Sequence, residues 1–294
     1  MSIPNEAFKA RTTLQTLSRM AAAGEPFACL TCYDATTARF LAAGGVRVLL
    51  VGDTAAEVVL GLDRTIDMPL DVLLALTAGV KRGAPDAVVM GDMPFMSYQA
   101  SDADAVRNAG RFLTHGRADI VKIEADAGYA GRIAKVVHAG IPVCGHVGSR
   151  PQTMALTGGY AAAGRTPEAA RRVVDDAVAL EGAGCSMLLI EAVPPEVTAM
   201  VLAKTSVPLI GIGAGTACHG QVLVLQDLVG MSARPPRFAE PVADLGSGFT
   251  AAAREWVKRV SERQIGGETY AMKAPVAGNE GARQKSRTGP GSTL

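Results

Sequence analysis

VRVLLVGD (46–53) holds four consecutive apolar residues, then a glycine, then a bare carboxylate. An unalternating apolar run closed by a turn residue reads as a strand buried on both faces, the kind found in parallel sheets. Seven similar runs surround it: FACLTCYD (27–34), AVVMGD (87–92), DIVKIEA (119–125), IPVCGHV (141–147), SMLLIEAV (186–193), VPLIGIGAG (207–215) and a weaker GQVLVLQD (220–227). Helix-ending glycine signals precede several of them: AAGG before 46, HGRAD before 120, HAG before 141 and EGAG before 185. Between the runs lie amphipathic pieces such as PEAARRVVDDAVALEGAG (167–184), with apolar residues at Val173, Val174, Ala177, Val178 and Leu180 at helical spacing. Eight strands alternating with helices predict an α/β fold closed as a (β/α)8 TIM barrel in a single domain. An open doubly wound sheet is the alternative, but GIGAG (211–215) is followed by Thr216 and makes no usable GxGxxG.

Composition narrows the function classes. The chain has 294 residues, 48% hydrophobic and 19% charged, with a net charge of +1 and scattered basic residues. That balance gives no electrostatic case for nucleic acid or an anionic membrane surface. The first twenty residues lack the apolar core of a signal peptide, and no run reaches the eighteen apolar residues of a membrane span. Five cysteines, an odd number, suit a reducing, cytoplasmic setting. Cys29 and Cys32 form a CxxC, but positions i and i+3 of a strand face opposite sides, so both are expected as core thiols. The barrel domain is expected over 1–265, with an N-terminal helix and a last amphipathic helix over 246–263. Residues 271–294 are rich in Gly, Pro, Ser and Lys and are expected to be a disordered tail.

In such a barrel, chemistry sits at the C-terminal ends of the strands. Those ends carry Tyr33 and Asp34, then Asp53, Asp92, the pair Lys122 and Glu124 on one strand face, His146 and Glu191. A lone acidic residue after a strand is ordinarily the N-cap of the next helix, and Asp53 taken alone reads that way. Four converging carboxylates do not, because they repel and are costly to desolvate. A hard divalent cation resolves this: Mg²⁺ accepts two or three carboxylates and keeps several waters. Such a centre polarises a carbonyl while a remaining carboxylate acts as base. A chelated 2-oxo acid would become acidic at the adjacent carbon. Lys122 reads equally well as a partner for the substrate carboxylate or for a neighbouring acid. His115 and His138 fall at helix ends, where a cation favours the helix dipole, and read as structural. His219 lies in a loop and is given no role.

TCYDATTA (31–38), LLVGDT (49–54), KRGAP (81–85), GDMPFMSY (91–98), VKIEA (121–125), PVCGHVG (142–148), PQ (151–152), GGY (158–160), IEAVP (190–194), GIGAG (211–215) and GQVLV (220–224) together resemble ketopantoate hydroxymethyltransferases, over about residues 10–262. The resemblance implies a Mg²⁺-dependent (β/α)8 barrel, commonly a homo-oligomer of ten subunits. It implies transfer of a one-carbon unit from 5,10-methylenetetrahydrofolate to the small-molecule 2-oxo acid 3-methyl-2-oxobutanoate. Carried over motif by motif, Asp53 and Asp92 would hold metal and substrate, with Glu124 as a third acid at the metal. Lys122 would hold the substrate carboxylate, and Thr54 would stand in for a substrate-contacting serine. Glu191 would be the catalytic base, and His146 would bond near the reacting oxygen.

The chain also departs from that pattern. The family's S-x-G after VGD is Thr54, Ala55, Ala56; other changes are IDMP (66–69), Ala75-Leu76, GSRPQ (148–152) and CHGQ (218–221). Arg150 and Asp67 would suit a more polar 2-oxo acid, so a paralogue with a different substrate is the close alternative. A carbon–carbon lyase of the phosphoenolpyruvate mutase type is a further one. Its catalytic loop is absent, since the only CGH (144–146) ends an apolar strand with no lysine before it. A non-enzymatic homologue is disfavoured by the intact set of Asp53, Asp92, Lys122, Glu124 and Glu191.

Overall fold

A computed structural model describes residues 11–159 and 161–270. The eight expected runs form eight strands: β1 (Phe27–Thr31), β2 (Val48–Val51), β3 (Val88–Asp92), β4 (Ile120–Glu124), β5 (Val143–Gly148), β6 (Met187–Glu191), β7 (Leu209–Ile212) and β8 (Gly220–Leu223). All neighbours run parallel and β8 pairs back to β1, so the sheet closes in sequence order. The open sheet is thereby excluded.

Residues of period two sort onto two faces. Leu49 and Val51 point outward into the core shared with the helices, whereas Val48 and Leu50 point inward. The interior is filled by Phe27, Cys29, Val48, Leu50, Val88, Met90, Ile120, Cys144, Met187, Leu189, Ile210 and Val222, with Leu17 of the N-terminal helix Leu14–Ala22 packed among them. Cys29 is therefore inside the barrel and Cys32 in the outer core, on opposite sides as their spacing requires. All five cysteines are free and buried.

One step further along the same inward parity, the side chains change from apolar to charged. Met90 gives way to Asp92, Ile120 to Lys122 and then Glu124, Cys144 to His146, and Leu189 to Glu191. Register then sets them side by side: Asp92 pairs with Lys122, Glu124 with His146, and Gly148 with Glu191. The barrel thus carries an apolar floor and an ionic upper layer.

The helix expected around 167–184 spans Pro167–Gly182. Thr166 caps it by accepting from the Ala169 N–H at 3.2 Å, and Pro167 opens it. Ala170, Val173, Val174, Ala177 and Leu180 are buried; Val178, expected with them, is exposed. The last helix runs Leu245–Ser261, close to the expected 246–263, and every residue in it is exposed except Gly246. The chain divides into two compact units, Met1–Gly246 and Ser247–Leu294. The expected disordered tail, 271–294, lies outside the described residues. No helix among the described residues is long and apolar enough to cross a membrane.

Candidate active site

All seven side chains expected at the site line one small cavity of about 50 Å³ at the C-terminal ends of the strands: Asp53, Thr54, Asp92, Lys122, Glu124, His146 and Glu191. Asp53, Asp92, Lys122, Glu124 and His146 are buried, and the Glu191 side chain is 21% exposed.

Lys122 Nζ donates to Asp92 Oδ1 at 2.6 Å and stands 4.0 Å from Glu124 Oε1. Burial works against its charge, but Asp92, Glu124 and Asp53 outweigh burial and raise its pKa. The other Asp92 oxygen accepts the Asp53 N–H at 3.0 Å. The Asp53 carboxyl is itself held well above the ordinary range, by burial first and by the Asp92 charge second, with Lys122 and Gln152 opposing. Thr54 begins the short helical turn Ala55–Val58, and no side chain caps it, so Asp53 is not an N-cap. Ala56 lies within that turn, a conformation that needs no glycine.

A second chain of groups runs around the wall. His146 Nδ1 lies 3.6 Å from Glu124 Oε1, and its Nε2 lies 3.4 Å from Glu191 Oε2. Neither nitrogen is hydrogen-bonded, and nor is Glu124 Oε1, although all three atoms are buried. Buried polar atoms without partners are rare, and here three of them face one cavity. Burial and Lys122 depress the His146 pKa, yet the two flanking glutamates outweigh them and raise it. Glu124 titrates below its ordinary value: burial acts to raise it, and His146, Lys122 and the Gln152 N–H together lower it.

Other expectations separate from the site. Tyr33 packs into the outer core, and Asp34 caps the helix Ala35–Ala43. His115 and His138 sit at helix C-terminal ends, and His219 Nδ1 accepts the Leu209 N–H at 3.0 Å in a structural role. Arg150 pairs with Asp126 at 2.8 Å and Asp67 with Arg64 at 2.6 Å; neither lines the small cavity. Sequence reasoning missed Gln152 as a functional residue. It is buried and donates to Asp53 Oδ2 at 2.9 Å, and only the PQ dipeptide hinted at it.

Thr54, Pro151, Glu191, Ile212 and Val224 also line a second cavity of about 770 Å³, so the two meet beside Glu191. Arg165 and Arg234 stand on the wall of this larger space. Among the described residues, no three His, Cys, Asp or Glu side chains converge closely enough to hold a metal unaided.

A closed parallel barrel with carboxylates, a lysine and a histidine gathered at its strand ends defines a (β/α)8-barrel enzyme. Solved structures agree on the fold. Phosphonopyruvate hydrolase with oxalate and Mg²⁺ superposes with a TM-score of 0.58 at 13% identity, covering 86% of this chain and 88% of that one. The 2,3-dimethylmalate lyase, a member of the PEP mutase/isocitrate lyase superfamily, gives 0.56 at 19% identity, over 88% and 90%. Sequence similarity is more specific. The family model for ketopantoate hydroxymethyltransferase matches residues 11–268. The 3-methyl-2-oxobutanoate hydroxymethyltransferase of Carboxydothermus hydrogenoformans is 43% identical, over 89% of this chain and 95% of its own length. That of Cenarchaeum symbiosum is 46% identical, over 82% and 91%. The chain belongs to the ketopantoate hydroxymethyltransferase family.

Proposed function

We propose that the protein transfers a hydroxymethyl group from 5,10-methylenetetrahydrofolate to 3-methyl-2-oxobutanoate, giving 2-dehydropantoate for pantothenate biosynthesis. Family membership supports the reaction, and one observation carries the mechanism: Glu191 stands at the junction of the small ionic cavity and the 770 Å³ cavity. A base so placed reaches a 2-oxo acid on one side and a larger one-carbon donor on the other.

The residues fit a Mg²⁺ ion. Mg²⁺ usually takes one or two carboxylates with substrate and water completing its shell, so a preassembled trio is not required. Asp53 and Asp92 supply such a pair: the Asp53 N–H bonds one Asp92 oxygen, and Asp92 raises the Asp53 pKa. Glu124 is the third acid lining the cavity, its Oε1 without a hydrogen-bond partner and 4.0 Å from Lys122 Nζ. When bound, the ion would polarise the keto oxygen and make the C3 proton more acidic.

The chain's own residues then divide the work. Lys122 offers its ammonium to the substrate carboxylate. Glu191 takes the proton from C3. The enolate carbon bonds the donor's methylene carbon while both carbon–nitrogen bonds of that methylene break, one water supplying the hydroxyl oxygen and tetrahydrofolate leaving. His146, between Glu124 and Glu191, donates toward the developing oxyanion, its loose contacts tightening once substrate is present. Thr54 lines both cavities. Arg165 and Arg234 offer positive charge to an anionic donor in the larger one. A more polar 2-oxo acid finds no support, because Arg150 and Asp67 are occupied elsewhere. We place the protein in the cytoplasm, with its five free cysteines in support, and read it as a homo-oligomer on family resemblance.

The test is exchange of the C3 proton of 3-methyl-2-oxobutanoate in D2O with Mg²⁺, followed by NMR. Exchange should require the ion and fall about 10²–10⁴-fold in Glu191→Gln, the usual contribution of a general base. Unchanged exchange in that variant would remove Glu191 as the base, and none in the wild type would sink the enolate step.

A further inference from the structure

One residue outside the expected set touches both sides of the site. Gln152 lies in the short turn Pro151–Thr153, which follows β5. Its backbone N–H donates to Glu124 Oε2 at 2.9 Å. Its side-chain Nε2 donates to Asp53 Oδ2 at 2.9 Å and to the Met93 carbonyl at 3.0 Å. Its Oε1 accepts from the Tyr98 hydroxyl at 2.8 Å and from Gln99 Nε2 at 3.2 Å. Two donors and two lone pairs are the whole capacity of a primary amide, and each has a partner here, the single Tyr98 hydrogen lying also within reach of the Glu124 carbonyl at 2.9 Å. Its orientation is also determined. Reversing the amide would set Oε1 against a carboxylate and a carbonyl, neither of which can donate.

We infer that Gln152 is a positioning residue that fixes the Asp53 carboxylate and Glu124 as a preorganised cation-binding frame. Asp53 reaches the frame from the loop after β2, 99 residues from Gln152, and Glu124 from β4, 28 residues from it. No local structure ties such distant groups together, whereas one buried amide does. With Oδ2 of Asp53 and Oε2 of Glu124 held by Gln152, the other oxygen of each carboxylate is left for a ligand. Glu124 Oε1 is indeed without a partner. Pro151, opening the turn with its fixed φ, sets the Gln152 N–H as one of the unsatisfied donors that any helical turn leaves at its start.

This inference rests on the cation reading above, and the experiment separates the two. Mn²⁺ is titrated into the full-length protein and free Mn²⁺ is followed by electron paramagnetic resonance, comparing wild type with Gln152→Met, which keeps length but has no donors. Loss of such an outer partner typically weakens metal affinity about 10–100-fold, and that is the expected rise in Kd. The apparent KM for Mg²⁺ should rise in parallel, while kcat at saturating Mg²⁺ recovers to within about threefold of the wild type. A folded Gln152→Met protein, judged by a cooperative thermal transition, that binds Mn²⁺ within twofold of the wild type overturns the inference. So does a variant that loses only thermal stability. If Gln152→Met yields no cooperative transition, Tyr98→Phe decides: removing the hydroxyl that seats Oε1 should weaken Mn²⁺ binding at least threefold, and a change below twofold overturns the proposal. A wild-type protein that takes up no Mn²⁺ removes the cation from the proposed function, and this inference falls with it.

Discussion

Asp34 and Asp53 follow consecutive strands, and their surroundings give them opposite work. Asp34 accepts from the Thr36 and Thr37 N–H groups at 2.8 and 2.9 Å and from the Thr37 hydroxyl at 2.6 Å, closing the start of the helix Ala35–Ala43. Asp53 likewise lies between its strand and the next helical turn, one residue further from the turn, but its side chain accepts from Gln152 and caps nothing. One is exposed and satisfied by its own neighbours in sequence. The other is buried, faces Asp92, and is held by a residue from a distant loop. Position at a strand end therefore does not distinguish a cap from a ligand; what lies within reach of the carboxylate does.

Neutralising each aspartate should separate the two roles. Asp53→Asn should lower Mn²⁺ affinity and activity by at least about 10²-fold, since it removes a direct donor where loss of an outer partner already costs 10–100-fold. Its stability should not fall. The folded-state pKa of Asp53 is raised, so its ionised form opposes folding as pH rises, and a neutral amide removes that cost. A variant with full metal affinity and a lowered melting temperature would make Asp53 structural after all.

Asp34→Ala should show the reverse: activity retained and about 1 kcal/mol of stability lost, the usual worth of an N-cap. Burial alone would raise the Asp34 pKa, but the bonds from Thr37 and Thr36 win and lower it. A depressed folded value means that the stabilisation is present above the unfolded value of about 3.9 and is lost as pH falls through the lower folded one. Urea denaturation at pH 7 and near pH 3 should therefore show the difference between Asp34→Ala and wild type shrinking in acid. A gap that is constant with pH would show that the cap does not act through its charge.

The same contrast explains what was legible in the sequence. All eight strands could be read, because buried strands leave unalternating apolar runs and helix ends leave glycines. Lys122 and Glu124 could be placed on one face because strand parity is local. That Asp53 differs from Asp34 was readable only after a barrel had been assumed, since Asp92 is 39 residues away. Gln152 was not legible as a functional residue: it lies in a turn without periodicity, and its partners come from β4 and the loops after β2 and β3.

A third strand end offers the smallest and sharpest comparison. Ala192, directly after Glu191, has φ +47°, in the left-handed region where a side chain costs about 1–2 kcal/mol. Its N–H donates to the Ile212 carbonyl at 2.8 Å, its carbonyl accepts from the Ala163 N–H at 2.9 Å, and the Glu191 carbonyl accepts from the Ser149 N–H at 2.9 Å. Those bonds hold the conformation in place against its cost. Ala192→Gly removes the side-chain penalty but adds about 0.4–1 kcal/mol of unfolded-state freedom, so a net gain between about zero and about 1.6 kcal/mol is expected. Because the three backbone bonds survive the change, C3 exchange should stay within about twofold of the wild type. Slower exchange in a protein of equal or greater stability would mean that the strained alanine itself aims Glu191, and would set β6 apart from β1 and β2 as a strand end where backbone conformation, not only side-chain partners, serves the site.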